Sequence, residues 1–148
     1  MLEIPEIKIT VRLEGNSEHL KKVTSSRDAY KVFLQCFDSE TFLLREEFLV
    51  LCINNEDCVI GFYRLSVGGM TGTVVDLRIL FTVALQSLAT SIIIAHNHPS
   101  GSLIPSEADI TLTQKIKEAG IFLDIPLLDH LILTQDDYFS FVDEGLLT

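Results

Sequence analysis

Positive charge is scarce in this chain. Its 148 residues hold 11 Lys and Arg against 21 Asp and Glu, a net charge of −10. The deficit is uneven: residues 101–148 carry two Lys and nine acidic residues, a net of −7. Proteins that grip nucleic acid gain affinity by neutralising phosphates with Lys and Arg. The chain offers no basic run and no RNA-binding signature, so direct nucleic-acid binding is not expected. Cysteine is also sparse. Cys36, Cys52 and Cys58 are odd in number and lack C-x-x-C spacing, which argues for buried reduced thiols. The alternative is that Cys52 and Cys58 face each other across a hairpin. No apolar run reaches membrane-spanning length. The first five residues, MLEIP, lack the basic start and apolar stretch of a secretion signal. A soluble, cytoplasmic protein is the expectation. No internal repeat or low-complexity tract is visible. Gly68, Gly69 and Gly72 fall close together, but neither G-x-G-x-x-G nor a Walker pattern is present. That stretch is expected to turn into the next helix, with a substrate-facing loop as a second reading.

What is present is enough apolar material for a core: 47% of residues are hydrophobic, in a length typical of one domain. The chain divides into residues 1–22, an N-terminal strand and linker, and residues 23–148, a folded domain. Residues 7–14 (IKITVRLE) alternate well enough for an edge strand. Ser25 or Ser26 caps a helix through about Phe37, with Asp28 in its first turn. Residues 46–53 and 58–67 are strands joined by a turn at 54–57. Thr73 and Asp76 form a capping box. After it Leu77, Leu80, Phe81, Ala84, Leu85 and Leu88 mark an amphipathic helix. Residues 92–95 (IIIA) are a buried strand, 106–119 a helix ended by Gly120, and 127–134 and 138–142 the last two strands.

The chemistry gathers after the apolar strand, in HNHPSG at 96–101 followed by Ser106 and Asp109. Ligands of open α/β folds bind outside the carboxyl ends of strands, which is where this cluster falls. Residues two apart on a strand share a face, so His96 and His98 point the same way. Asp109 can turn back toward them from the first turn of the next helix. Two imidazoles and a carboxylate make three protein ligands with a fourth position left for water, the layout of a catalytic zinc site. Iron, manganese and cobalt are alternatives for the same donors. Ser106 is placed to hydrogen-bond an oxyanion. Ser106 and Asp109 also read as S-x-x-D, a capping box that alone would explain both. The letters H-N-H do not make an HNH nuclease, which spreads those residues over a longer element. His130 lies on an apolar strand beside Asp129, as a satisfied core histidine or as support for a metal ligand. His19 sits in a polar loop with no role. Ser100 and Gly101 shape the loop.

His-x-His, seven residues, Ser, two residues, Asp resembles the signature of JAMM (JAB/MPN-type) metalloproteases. The longer strings HNHPSG, PSEADI, LLDHLIL and YFSF resemble the RadC family over about residues 23–148. The resemblance implies an α/β, three-layer α-β-α fold similar to cytidine deaminase, a mixed sheet flanked by helices. It implies one zinc ion per chain, held by His96, His98 and Asp109. It also implies a peptide or protein substrate cleaved at a peptide or isopeptide bond. Full-length RadC proteins carry a helical module before the metal domain, for which this chain has too little length. In JAMM proteins the general base is a glutamate at the start of an upstream strand, followed at four and five residues by two aliphatics. Glu46, with Val50 and Leu51, fits that pattern. Glu47 fits if the strand begins one residue later; whichever is not the base is expected to be a solvated charge, and Glu47→Gln a nearly neutral change. Two other functions stay open: a DNA-repair or genome-maintenance accessory protein, and a metal-binding scaffold without turnover. Oligomeric state is left open.

Overall fold

A computed structural model of the protein describes residues 4–15, 20–69 and 74–148. Its elements are α1 (Ser26–Cys36), β1 (Glu47–Ile53), β2 (Val59–Val67), α2 (Leu77–Gln86), β3 (Ser91–Asn97), α3 (Glu107–Phe122), β4 (Leu127–Leu133) and β5 (Tyr138–Ser140). The strands form one sheet in the order β2-β1-β3-β4-β5. β1 pairs antiparallel with β2 and β3. β3 and β4 run parallel, joined through α3; a parallel pair requires such a crossover. The sheet is therefore mixed, with helices on both sides.

Strand periodicity decides which helix meets which residue. In β1, Phe48, Val50 and Cys52 join Leu80, Phe81 and Ala84 of α2 and Ile116 of α3 in one core. Leu49, Leu51 and Ile53 point the other way, into a second core with Ala29, Val32 and Phe33 of α1. β3 repeats this, with Ile92 and Ile94 toward α2 and α3 and Ile93 and Ala95 toward α1. Both central strands are buried on both faces, so they read as unbroken apolar runs. Each such aliphatic side chain contributes about 1.5–3 kcal/mol when removed from water.

Several local expectations shift. Residues 7–14 form no strand; Ile7 is 87% exposed. Alternation supplies an apolar face, but no layer covers it here. Ser25 is the cap of α1, its Oγ accepting from the Asp28 N–H. α2 begins at Leu77 with Asp76 itself as cap, accepting from the Arg78 N–H; Thr73 lies outside the described residues. Leu88 falls beyond the end of α2, at φ 58°, and is exposed. Gly120 does not end α3, which continues to Phe122. It is instead a point of close approach: a Cβ there would sit 2.5 Å from the Ile125 carbonyl oxygen. β5 stops at Ser140. Cys52 faces Gly61 rather than Cys58, and all three cysteines are free, Cys52 buried and the others half-buried. Among the described residues no helix is long and apolar enough to cross a membrane.

Candidate metal centre

The end of β3 meets the start of α3. His96 lies on β3, and the His98 N–H donates to the Leu133 carbonyl at 2.9 Å, carrying the pairing with β4 one step beyond the strand. Parity places both imidazoles on the α2/α3 side. Ser106 caps α3 by accepting from the Asp109 N–H at 3.0 Å. Asp109 Oδ2 accepts from the Ser106 N–H at 2.8 Å. The carboxylate still reaches the histidines: Oδ1 is 3.4 Å from His96 Nε2, and Oδ2 is 3.5 Å from His98 Nε2. The capping box and the metal-ligand reading are thus compatible, because the cap holds the carboxylate in place. One donor atom from each of His96, His98 and Asp109 lies within 4.8 Å of the others.

The ring nitrogens are constrained. His98 Nδ1 is 2.8 Å from the Ser102 carbonyl oxygen. A carbonyl only accepts, so Nδ1 carries the proton and the Nε2 of the neutral ring presents a lone pair. His96 Nε2 lies 3.0 Å from His98 Nε2. Two nitrogens and a carboxylate converge on one point, a donor set that could hold a metal ion. A proton between the two nitrogens would also satisfy their 3.0 Å contact, and the donors are of the kind that zinc takes. The Asp109 carboxylate beside His98, opposed by burial, favours the protonated ring and raises its pKa. Burial opposes ionisation of Asp109, but the neighbouring His96 and His98 rings outweigh it and hold the carboxyl well below its usual range.

The two upstream glutamates separate cleanly. Phe48 is the register partner of His96 and stacks on it, ring centroids 5.7 Å apart at 4°. Extending that antiparallel register by two residues puts Glu46 opposite His98, on the metal-site face. Its backbone is clamped by the glycine stretch: its N–H donates to the Gly69 carbonyl at 3.1 Å and its carbonyl accepts from the Gly68 N–H at 2.8 Å. Met70 to Thr73, the rest of that stretch, lies outside the described residues. Burial raises the Glu46 pKa, against the pull of His96 and His98. Glu47 points to the α1 side and is not the solvated charge expected of the spare glutamate. It is 3% exposed, in contact with Arg64 and 3.6 Å from Arg45 Nε. The physical reason is that half-buried Arg64 on β2 supplies a counter-charge, invisible in the local string.

One residue of the site escaped the sequence reading. Asn97, between the two histidines, is fully buried on the α1 side. Its Oδ1 accepts from the Glu47 N–H at 2.7 Å, and its Nδ2 donates to the carbonyls of Phe42 and Arg45 at 2.7 and 2.9 Å. It therefore holds the segment that presents Glu46. Its signal was alternation, which put it opposite the two imidazoles. His130 is fully buried, stacked on Phe141 with centroids 4.5 Å apart. Its Nε2 is 2.8 Å from His96 Nδ1 and its Nδ1 is 2.6 Å from Thr113 Oγ1. Burial lowers its pKa well below the ordinary value, keeping the ring neutral. The Ser100 hydroxyl accepts from the Ser102 N–H at 3.3 Å, and Gly101 sits at φ 85°, a left-handed turn suited to glycine. His19 lies outside the described residues.

The family described as RadC-like JAB domain matches residues 23–146. A UPF0758 protein of Flavobacterium johnsoniae is 52% identical over 127 residues, covering 86% of this chain and 54% of the relative. A UPF0758 protein of Porphyromonas gingivalis is 44% identical over 128 residues, 86% of this chain and 55% of the relative. One from Thermotoga maritima is 36% identical over 141 residues, 95% of this chain and 62% of the relative. The chain spans about half the length of the first two relatives, and their name states no activity.

Proposed function

The chain belongs to the RadC-like JAB domain family, and from that premise we propose that it is a zinc-dependent metallohydrolase acting on peptide or isopeptide bonds. The observation that carries the reading is the convergence of two imidazole Nε2 atoms, 3.0 Å apart, with the Asp109 carboxylate. His96, His98 and Asp109 would hold the ion. Bound there, zinc would supply Lewis acidity and a water whose pKa falls to about 7. The remaining work belongs to side chains. Glu46 stands on the same face as the ligands, and burial makes its carboxylate more basic than an exposed one. It takes the proton of the attacking water and returns it to the leaving amine. Ser106 Oγ accepts from the Asp109 N–H, which leaves its own O–H free to donate to the oxyanion of the tetrahedral intermediate. Phe48 packs beneath His96 and limits water from below. We further propose a peptide or protein as partner rather than nucleic acid, supported by the net charge of −10.

The test is metal analysis followed by a peptide-library cleavage assay with and without chelator. One zinc per chain is expected, lost in the His96→Ala, His98→Ala double variant, together with chelator-sensitive cleavage. A double variant that keeps a full equivalent of zinc would show the site to be misassigned.

A further inference from the structure

We propose that Thr113 and His130 are positioning residues that fix the tautomer of His96, so that its Nε2 lone pair faces the metal. The proposal rests on the metal reading above and adds a device behind it. The hydrogen bonds form a line running away from the site. His96 Nδ1 meets His130 Nε2 at 2.8 Å, His130 Nδ1 meets Thr113 Oγ1 at 2.6 Å, and Thr113 Oγ1 meets the Asp109 carbonyl oxygen at 2.6 Å.

The last member decides the direction of the line. A carbonyl oxygen only accepts, so the single hydroxyl proton of Thr113 is committed to Asp109. Thr113 Oγ1 then accepts from His130, whose proton is placed on Nδ1. His130 Nε2 is left with a lone pair and accepts the Nδ1 proton of His96. The Nε2 of neutral His96 is therefore bare. Run in the opposite direction, the same contacts would put a proton on His96 Nε2 and block it as a ligand. Solvent does not reach these atoms: His130 is fully buried and Thr113 2% exposed. Phe141 is stacked on the His130 ring at 7°, with Phe48 on another side, so the ring is held against rotation. The line also returns to the ligand set, since it ends on the backbone of Asp109. Metal-binding histidines are commonly oriented by a carboxylate or backbone carbonyl on the second nitrogen. Here a histidine and a threonine relay that function from a helix carbonyl.

The experiment measures zinc affinity by chelator competition in the parent, Thr113→Val and Thr113→Ser proteins. It also records the imidazole ¹⁵N resonances of the zinc-loaded parent. Thr113→Val keeps the shape and removes the hydroxyl, and should weaken zinc binding about 10–100-fold. Thr113→Ser restores the hydroxyl and should bind like the parent, a rescue that packing alone would not give. The spectra should place protons on Nδ1 of both His96 and His130. A Thr113→Val protein with parental affinity overturns the proposal, as does a proton on His130 Nε2. The spectral arm needs no variant, so it decides the question even if Thr113→Val fails to fold. A folded parent that binds no zinc overturns the metal reading and this inference together. A parent that binds zinc as tightly as Thr113→Val overturns the inference alone.

Discussion

Glu46 and Glu47 are neighbours in the chain and opposites in the fold. One backbone step at the start of β1 sends Glu46 to the face where His96, His98 and Asp109 gather. The same step sends Glu47 into the layer beneath α1, against Arg64. Identical chemistry thus acquires two characters. Among the described residues Glu46 makes no ion pair, and it is perturbed mainly by burial, which suits a group that must exchange a proton. Glu47 is locked to the Arg64 guanidinium. The sheet separates reactive from structural carboxylates by parity alone. The two sides are also coupled, because Asn97 on the structural face grips the backbone that leads into Glu46.

The sharpest way to break this comparison is the matched pair of amide substitutions. Glu46→Gln keeps size and removes the base. It should leave zinc content and melting temperature unchanged and lower turnover roughly 10²–10⁴-fold, the usual share of a positioned acid–base group. Glu47→Gln should do the reverse. It removes the charge of a buried carboxylate from a pair whose Arg64 partner is half-buried, and should cost about 1–3 kcal/mol in stability, while the folded fraction still turns over. Urea unfolding and a cleavage assay on each variant read both quantities. If Glu47→Gln abolished turnover at full stability while Glu46→Gln stayed active, the assignment of faces would be reversed.

A second variant probes the coupling. Asn97→Ala strips partners from a buried N–H and two carbonyls. Each orphaned buried group costs about 1–3 kcal/mol before water relieves part of it. A loss of about 2–3 kcal/mol is therefore expected in urea unfolding. Turnover should also fall, with zinc retained, because the segment before β1 loses its anchor. Unchanged turnover in the folded variant would mean that Glu46 is positioned without Asn97, by Gly68 and Gly69.

These contrasts show what the sequence made legible. The central strands, α1, α3 and the gathering of His96, His98 and Asp109 follow from local rules: alternation, capping and strand-end placement. The line from His96 to His130 and Thr113 joins three separate elements, and no local string announces it. The same holds for Glu47, whose partner Arg64 is 17 residues away on another strand. Residues 7–14 fail in the opposite sense. Their alternation is real, but a strand needs a neighbour and a covering layer, and neither is encoded in the segment itself. Gly120 resembles a helix stop because a glycine late in a helix usually is one; only the nearness of the Ile125 carbonyl reveals why a side chain is excluded.

The smallest expected effect again separates the two faces, through pH. In the metal-free protein Asp109 has a depressed pKa and His98 a raised one. A depressed carboxyl stabilises the fold above its unfolded pKa, about 3.9, and loses that contribution as pH falls. A raised imidazole stabilises below its unfolded pKa, about 6.5, and loses that contribution as pH climbs through the folded value. Both contributions are present together between about pH 4 and 6.5. The Glu47–Arg64 pair lies on the opposite face of the sheet, away from the His98–Asp109 contact. His130, buried and neutral, contributes the opposite slope, because its unfolded form sheds a proton near pH 6.5. The His98–Asp109 part is therefore read as the melting-temperature difference between the parent and Asp109→Asn, which should shrink by about 2–4 °C from pH 6 to 8.5, the scale of roughly 1 kcal/mol for a chain of this size. Glu47→Gln, on the opposite face, should lower the curve. Zinc should act in the opposite sense. Its ligands must shed protons, so the stabilisation it adds grows with pH over the same interval. Thermal melts with chelator and with excess zinc at pH 6, 7 and 8.5 test all of this. A difference between the metal-free parent and Asp109→Asn that does not shrink across that interval would show that the His98–Asp109 contact does not hold its proton in solution.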